Sequence, residues 1–230
     1  MQFASRKFSL IFGRSRCLLL GVCVALGVHG AANVDLLQDT YLQRWGSASM
    51  PRFIAWRELV NTGATGADLD RLKRVNTFFN RTVTFSDDTQ VWGQIDYWAT
   101  PMETLGRAAG DCEDYAIAKY FTLMELGVAP EKLRLIYVRA KTGTSDNAPA
   151  QAHMVLAYYA QPDAEPLVLD NLIGDIRPAS KRPDLVPVFS FNRDGVFTGI
   201  SGKELAPAAG TGRLSRWEEL LKRARAEGFQ

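Results

Sequence analysis

Apolar residues along this chain first gather into one unbroken run, CLLLGVCVALGV from Cys17 to Val28. They then scatter at helical spacing, and later close up into short strand-like blocks. DLLQDTYLQRWG (35–46) and MPRFIAWRELVN (50–61) each read as helical pieces ending near a glycine. ADLDRLKRVNTFFNR (67–81) is firmer, because Leu69, Leu72, Val75 and Phe79 recur every three or four residues and Asp68 is placed to cap the first turn. TFSDDTQVWGQIDYWATPMETLGRAAG (84–110) is aromatic, turn-rich and weakly periodic, which predicts an ordered surface loop able to wall a cleft.

From Glu113 to Leu126 the pattern turns helical again and stops at Gly127, with Pro130 just beyond. This stretch is apolar nearly all round, as in a helix buried within a core. Three strand-like runs follow, LRLIYVRA (133–140), HMVLAYYA (153–160) and PLVLD (166–170), separated by the turn-rich KTGTSDNAPAQ and QPDAE. A strand pair around VFSFNRDGVFTGI (188–200) would turn at Asp194-Gly195, and a closing helix is expected from Leu214 to Glu227. With no internal repeat, low-complexity tract or linker, residues 33–230 read as one α+β domain.

The first 32 residues differ in kind. Arg6, Lys7, Arg14 and Arg16 precede the apolar run, and small residues follow it, which is the layout of a secretory signal cleaved near Gly30 or Ala32. The run is short for a membrane anchor, the other reading, since a span needs about 20 residues. The leader holds four of the 27 Lys and Arg and none of the 25 Asp and Glu. The remainder is therefore slightly acidic, and a basic surface for nucleic acid or anionic lipid is not indicated. Of three cysteines and two histidines, Cys17, Cys23 and His29 lie in the leader, leaving Cys112 and His153. An internal disulfide and a four-ligand zinc site are both excluded for the processed chain.

Cys112 lies in GDCEDYAIAKY, at the head of the buried helix, where free N–H groups and the helix dipole favour negative charge. His153 lies 41 residues on and Asp170 a further 17. Two neighbouring antiparallel strands can hold those two side chains together, so that Asp170 orients the imidazole and the imidazole serves the sulfur. The spacing by itself leaves open an inert buried thiol and a satisfied core histidine. The carboxylates of Asp111, Glu113 and Asp114 pose a further problem, because they should hold the thiol protonated.

WGQIDYWATPMETLGRAAGDCEDYAIAKY, AHMVLAYY and LVLDNL occur in an order that resembles the bacterial transglutaminase-like cysteine proteinases, and the LapG-type periplasmic proteases among them, from about Trp45 to Phe197. The resemblance implies a papain/transglutaminase-like fold, with the nucleophile at the N-terminus of a core helix packed on an antiparallel sheet. It implies Cys112 as nucleophile, His153 as general base and then acid, and Asp170 as orienting carboxylate. It also implies dependence on calcium, a hard cation that takes six to eight oxygens. Asp111, Glu113 and Asp114 would be ligands, with Asp96 from the preceding loop. Read without the resemblance, the same carboxylates are more readily a solvated acidic helix cap, and no EF-hand loop is present.

Donors to an oxyanion are expected at the backbone N–H of Cys112 and at the indole of Trp92 or the amide of Gln94. Trp98 reads either as core or as an exposed aromatic anchor for a partner. The implied activity is a periplasmic endopeptidase that cuts the N-terminal region of a large surface adhesin at paired alanines and so releases cells from a biofilm. Its implied inhibitor is the periplasmic domain of an inner-membrane cyclic di-GMP receptor. A transglutaminase-type acyltransferase and a non-catalytic calcium-gated binding module are the competing readings.

Overall fold

The computed structural model describes residues 32–141, 149–198, 203–204 and 211–229; the leader lies outside them. Among the described residues no helix is long and apolar enough to cross a membrane. Helices α1 (Val34–Trp45), α2 (Met50–Gly63) and α3 (Asp68–Thr82) come first, followed by β1 (Thr84–Phe85), α4 (Asp88–Val91), α5 (Pro101–Arg107) and β2 (Ala109–Gly110). Next come α6 (Cys112–Glu125), the strands β3 (Leu133–Lys141), β4 (Ala150–Tyr158), β5 (Leu167–Leu169) and β6 (Arg177–Pro178), and then β7 (Leu185–Phe191), β8 (Val196–Thr198), β9 (Lys203–Glu204) and α7 (Thr211–Glu227). β3 to β9 form one antiparallel sheet in the order β6-β5-β4-β3-β7-β8-β9.

Helix α6 is the centre of the molecule. Every residue from Asp114 to Leu123 is buried, and the helix packs on α3, α5 and β4. Leu133, Leu135, Met154, Leu156, Tyr158 and Leu169 face the helices. Ile136, Val138, Val155, Ala157 and Val168 form a second cluster on the other face. Apolar residues on both faces explain why these strands read as nearly continuous hydrophobic runs. Each fully buried Leu or Phe contributes about 1.5–3 kcal/mol. Trp56 of α2 adds a directional tie, since its indole nitrogen donates to Thr122 of α6 at 2.9 Å.

Four expectations need correction. The 84–110 stretch is not one irregular loop, because it contains α4, α5 and the parallel β1–β2 pair. Helix α5 is set by a capping box. The Thr100 hydroxyl accepts from the Glu103 N–H at 3.2 Å, and Glu103 accepts from the Thr100 N–H at 2.9 Å, with Pro101 in the first turn. Burial of Pro101 to Leu105 on all sides erased the amphipathic period that would have revealed this helix. Asp68 does not cap α3; Ala67 stands at the cap, while Asp68 accepts from Lys132 at 2.9 Å and from the Tyr158 hydroxyl at 2.7 Å. Leu69 is exposed, and the buried face of α3 is Leu72, Val75, Asn76 and Phe79. Strand β4 begins at Ala150, so His153 lies inside it and does not open it. The β7–β8 turn is held by Asn192, whose side-chain oxygen accepts from the N–H of Asp194 at 2.9 Å and of Gly195 at 3.2 Å.

Glu103 fastens the helical layer together. It is fully buried and meets Arg44 of α1 at 2.7 Å, the Tyr97 hydroxyl at 2.8 Å and Arg223 of α7. Removing one partner of a buried ion pair leaves an uncompensated charge and costs about 3–5 kcal/mol. Glu103→Ala should lower urea-unfolding stability by about that amount. Removal of Arg177, paired only with the exposed Asp175 at 3.3 Å, should change it by less than about 1 kcal/mol.

Candidate active site

The head of α6 is built around carboxylates. Asp111 is its N-cap, and its backbone oxygen accepts from the Tyr115 N–H at 3.2 Å, yet its side chain makes no capping hydrogen bond. Asp114 is fully buried, with one oxygen accepting from the Ala99 N–H at 2.8 Å. Gly110 is required beside it, because a Cβ there would sit 2.5 Å from Asp114 Oδ2 and 2.7 Å from Asp114 Cβ. Asp88, the first residue of α4, is also buried and accepts from the Tyr97 N–H. The remaining oxygens, Asp88 Oδ1, Asp111 Oδ1 and Asp114 Oδ2, are buried without a hydrogen-bond donor.

Ligand oxygens of Asp88, Asp111 and Asp114 lie within 4.8 Å of one another, and so do those of Asp88, Asp96 and Glu113. Burial, followed by the Glu113, Asp114 and Asp88 charges, pushes the Asp111 carboxyl up to about 10. Asp88 is driven up to about 6 by burial, reinforced by Glu113, Asp96 and Asp87 against the Tyr97 N–H. Burial also raises Asp114 well above the carboxylate range. A cluster of oxygen acceptors that lack donors and repel one another fits a hard divalent cation. A solvated acidic cap would instead turn its oxygens to water.

Cys112, half-buried in the first turn of α6, donates its thiol hydrogen to Glu113 Oε2 at 2.9 Å. Burial and then the Glu113 and Asp111 carboxylates raise this thiol far above its ordinary value; the Met154 backbone N–H acts in the opposite direction. Strand β5 pairs β4 at residues 156–158 and does not extend to His153.

His153 and Asp170 come together as neighbouring antiparallel strands predict. His153 Nε2 lies 2.8 Å from Asp170 Oδ1, both groups are buried, and the other ring nitrogen, Nδ1, is left to exchange a proton. Asp170 directly follows β5. Its Oδ1 also accepts from the Leu172 N–H at 3.0 Å, its Oδ2 accepts from Arg182 at 2.7 Å, and its backbone oxygen accepts from Asn80 at 2.9 Å. Burial pushes Asp170 upward, but the bonds from His153, Leu172 and Arg182 outweigh it and hold the carboxyl at about 2. Lys119, two turns along α6 from Cys112, is buried; desolvation brings its ammonium down to about 7 against the pull of Asp170.

Of the residues expected from sequence, Asp111, Glu113 and Asp114 converge at the cluster. Asp96 stands at its rim, where it also pairs with Arg216 at 2.9 Å. Asp88 was overlooked, although the Asp87-Asp88 pair in the same aromatic stretch was the available signal. Trp98 is buried and stacked on Phe191 at 5.5 Å, which makes it core and not an exposed anchor. Gln94 is exposed. Trp92 stacks on Tyr97 at 4.7 Å beneath Arg107, and its indole nitrogen is buried without an acceptor.

A family model described as bacterial transglutaminase-like cysteine proteinase matches residues 55–184. Among solved structures, Legionella pneumophila LapG is similar with a TM-score of 0.69 and 36% identity, covering 84% of this chain and 98% of that one. The EGTA-treated form of that protein has a TM-score of 0.71 at 36% identity, with the same coverage. Its calcium-bound form has a TM-score of 0.68 at 37% identity, over 83% of this chain and 98% of that one. Among curated proteins, none matches.

The raised carboxyls make stability depend on pH, and an ion held by the cluster would make it depend on calcium as well. A carboxyl whose folded pKa is raised holds a proton that the unfolded chain releases near pH 4, so stability falls as pH rises from there toward the folded value. For Asp88 that window runs from about 4 to about 6, and for Asp111 up to about 10. In chelator, Tm should fall across this range. Calcium at about a hundred times its Kd adds about 2.7 kcal/mol, or roughly 5–10 °C for a chain of this size. The gain should be larger at pH 8 than at pH 5. A Tm indifferent to calcium at pH 8 would show that the cluster holds no ion.

Proposed function

We propose that this chain, which belongs to the bacterial transglutaminase-like cysteine proteinase family, is a calcium-dependent endopeptidase acting through Cys112, His153 and Asp170. The observation that carries this reading is the buried His153–Asp170 pair, 2.8 Å apart, in a chain whose Cys112 heads the helix that packs on β4. Cys112 gives its proton to His153 Nδ1, and the thiolate attacks the carbonyl carbon of the scissile peptide bond. The imidazolium returns that proton to the leaving amine as the tetrahedral species collapses to a thioester. Imidazole then deprotonates a water molecule, whose oxygen displaces the Cys112 sulfur from the thioester and frees the carboxyl product, while the imidazolium returns its proton to that sulfur. Asp170 keeps Nε2 protonated throughout and stabilises the charged ring, as the third member of such a triad does. The backbone N–H groups at the first turn of α6 face the developing oxyanion.

Asp88, Asp111, Glu113 and Asp114, with Asp96 at the rim, would hold the calcium ion. When bound, the ion would supply positive charge that offsets the carboxylate field on the sulfur. Without it, burial and those same carboxylates keep Cys112 protonated. The substrate we propose is the N-terminal region of a large surface adhesin, cut at paired alanines, with biofilm release as the consequence. The proposed site of action is the periplasm, a reading supported by the secretory pattern of the first 32 residues. Restraint by the periplasmic domain of a cyclic di-GMP receptor belongs to the same reading.

Cys112→Ala should abolish cleavage of the adhesin's N-terminal fragment while leaving the unfolding midpoint within about 0.5 kcal/mol of the parent. Persistent cleavage by that variant refutes the mechanism. Chelation should remove activity and added calcium should restore it, whereas full activity in chelator would make the acidic cluster irrelevant to catalysis. The product masses should show the addition of one water per cut. A mass corresponding to an amine cross-link would instead assign the chain to acyl transfer.

A further inference from the structure

We propose that Arg182 is a positioning residue for this reaction, clamping the second oxygen of Asp170 so that the first stays on His153 Nε2 and Nδ1 remains the proton-accepting nitrogen. The inference rests on the reading of Asp170 as the orienting carboxylate. Arg182 lies between β6 and β7 and is 3% exposed. Its backbone is fixed on both sides: its N–H donates to the Ala179 oxygen at 2.9 Å, and its carbonyl accepts from Leu185 at 3.1 Å. From there Nη2 donates to Asp170 Oδ2 at 2.7 Å.

The guanidinium is itself held in place. Nε donates to Asp184 Oδ1 at 3.0 Å and Nη2 to Asp184 Oδ2 at 2.7 Å, while the Asp184 backbone oxygen accepts from the Lys141 N–H at 2.9 Å. Two strand-anchored segments thus aim one planar fork at one carboxylate.

The need for a clamp is chemical. A carboxylate has two equivalent oxygens and turns easily about its last bond. With Oδ1 on His153 and Leu172, and Oδ2 on Arg182, that rotation is stopped. Ionisation matters equally. A protonated Asp170 would donate to Nε2 and select the tautomer with hydrogen on Nδ1, which cannot accept the thiol proton. Burial alone would favour that protonated state, and Arg182 opposes it. Lysine at this position would supply charge but not the fork that reaches Asp170 and Asp184 together.

The test uses the full chain with calcium in a His29→Gln background, so that His153 is the only imidazole. Two readouts are taken: steady-state cleavage of the adhesin fragment, and the 15N spectrum of the imidazole. Arg182→Gln should lower kcat by about 100-fold with KM little changed, the pattern of a lost transition-state interaction. The spectrum should pass from a single form with hydrogen on Nε2 to a mixture of tautomers, and Arg182→Lys should recover part of the rate. A purely structural arginine would reduce the folded fraction without altering the tautomer in folded molecules.

Wild-type kcat together with an unmixed Nε2 tautomer in Arg182→Gln overturns the proposal. If that variant does not fold, Asp184→Asn carries the test, with an expected loss of about tenfold in kcat and the same spectral change; neither change appearing overturns it. Should the parent protein cut nothing, the endopeptidase reading falls, and the imidazole spectrum still decides whether Arg182 sets the tautomer.

Discussion

Three buried carboxylate oxygens without donors, on Asp88, Asp111 and Asp114, set the terms for everything at the head of α6. Packing alone does not justify such an arrangement, because each uncompensated acceptor costs about 1–3 kcal/mol. The fold nevertheless goes to some length to create it. Gly110 gives up a side chain so that Asp114 can enter, and Asp111 leaves the helix cap unmade. The apolar bulk of α6 holds the cluster rigid from behind. The Cys112 thiol sits beside this charge, so its ionisation depends on what neutralises the carboxylates. In the proposed mechanism the thiol and the carboxylate cluster therefore act as one structural unit.

The imidazole half of the site is built on different foundations. His153 and Asp170 are held by strand register, by Asn80 from α3 and by Arg182, none of which belongs to the acidic cluster. This separation has a physical logic. The buried Asp170 is surrounded by donors, which keep it ionised, whereas the cluster carboxylates have oxygens left without donors, as the proposed cation site would require. Two groups of aspartates thus have opposite environments and opposite pKa displacements within one site. Burial brings the Lys119 ammonium of α6 down to about 7, against the opposing charge of Asp170.

The aromatic stretch before α6 joins these halves to the helical layer. Tyr97 holds Asp88 through its backbone and Glu103 through its hydroxyl, while Arg223 of α7 crosses its ring at 4.6 Å. Asp96 pairs with Arg216 of the same helix. A change at the acidic cluster is therefore mechanically connected to α7, the last helix of the chain, through a continuous set of hydrogen bonds and ring contacts.

Much of this was legible in the residues. Apolar runs on both sheet faces announced β3 to β5, the all-round apolar pattern announced a buried α6, and the scarcity of Cys and His left Cys112 and His153 as the only pair available to a cysteine enzyme. Local signals carried these because helix and strand periods are written in consecutive side chains. The sequence missed α5, where burial on every side removed the period and only the Thr100–Glu103 box remained to mark it. Asp88 and Arg182 were missed as site residues for another reason. Each is set apart in sequence from the group it serves; the adjacent Asp87 was the one local hint for Asp88, and nothing local distinguishes Arg182 from an ordinary surface charge. Composition and short-range pattern singled out the candidate residues, and the family resemblance gave them their proposed roles. Which oxygens are left without donors, and which carboxylate is clamped ionised, was decided only when distant segments were buried against each other, because desolvation and charge pairing are properties of the packed interior.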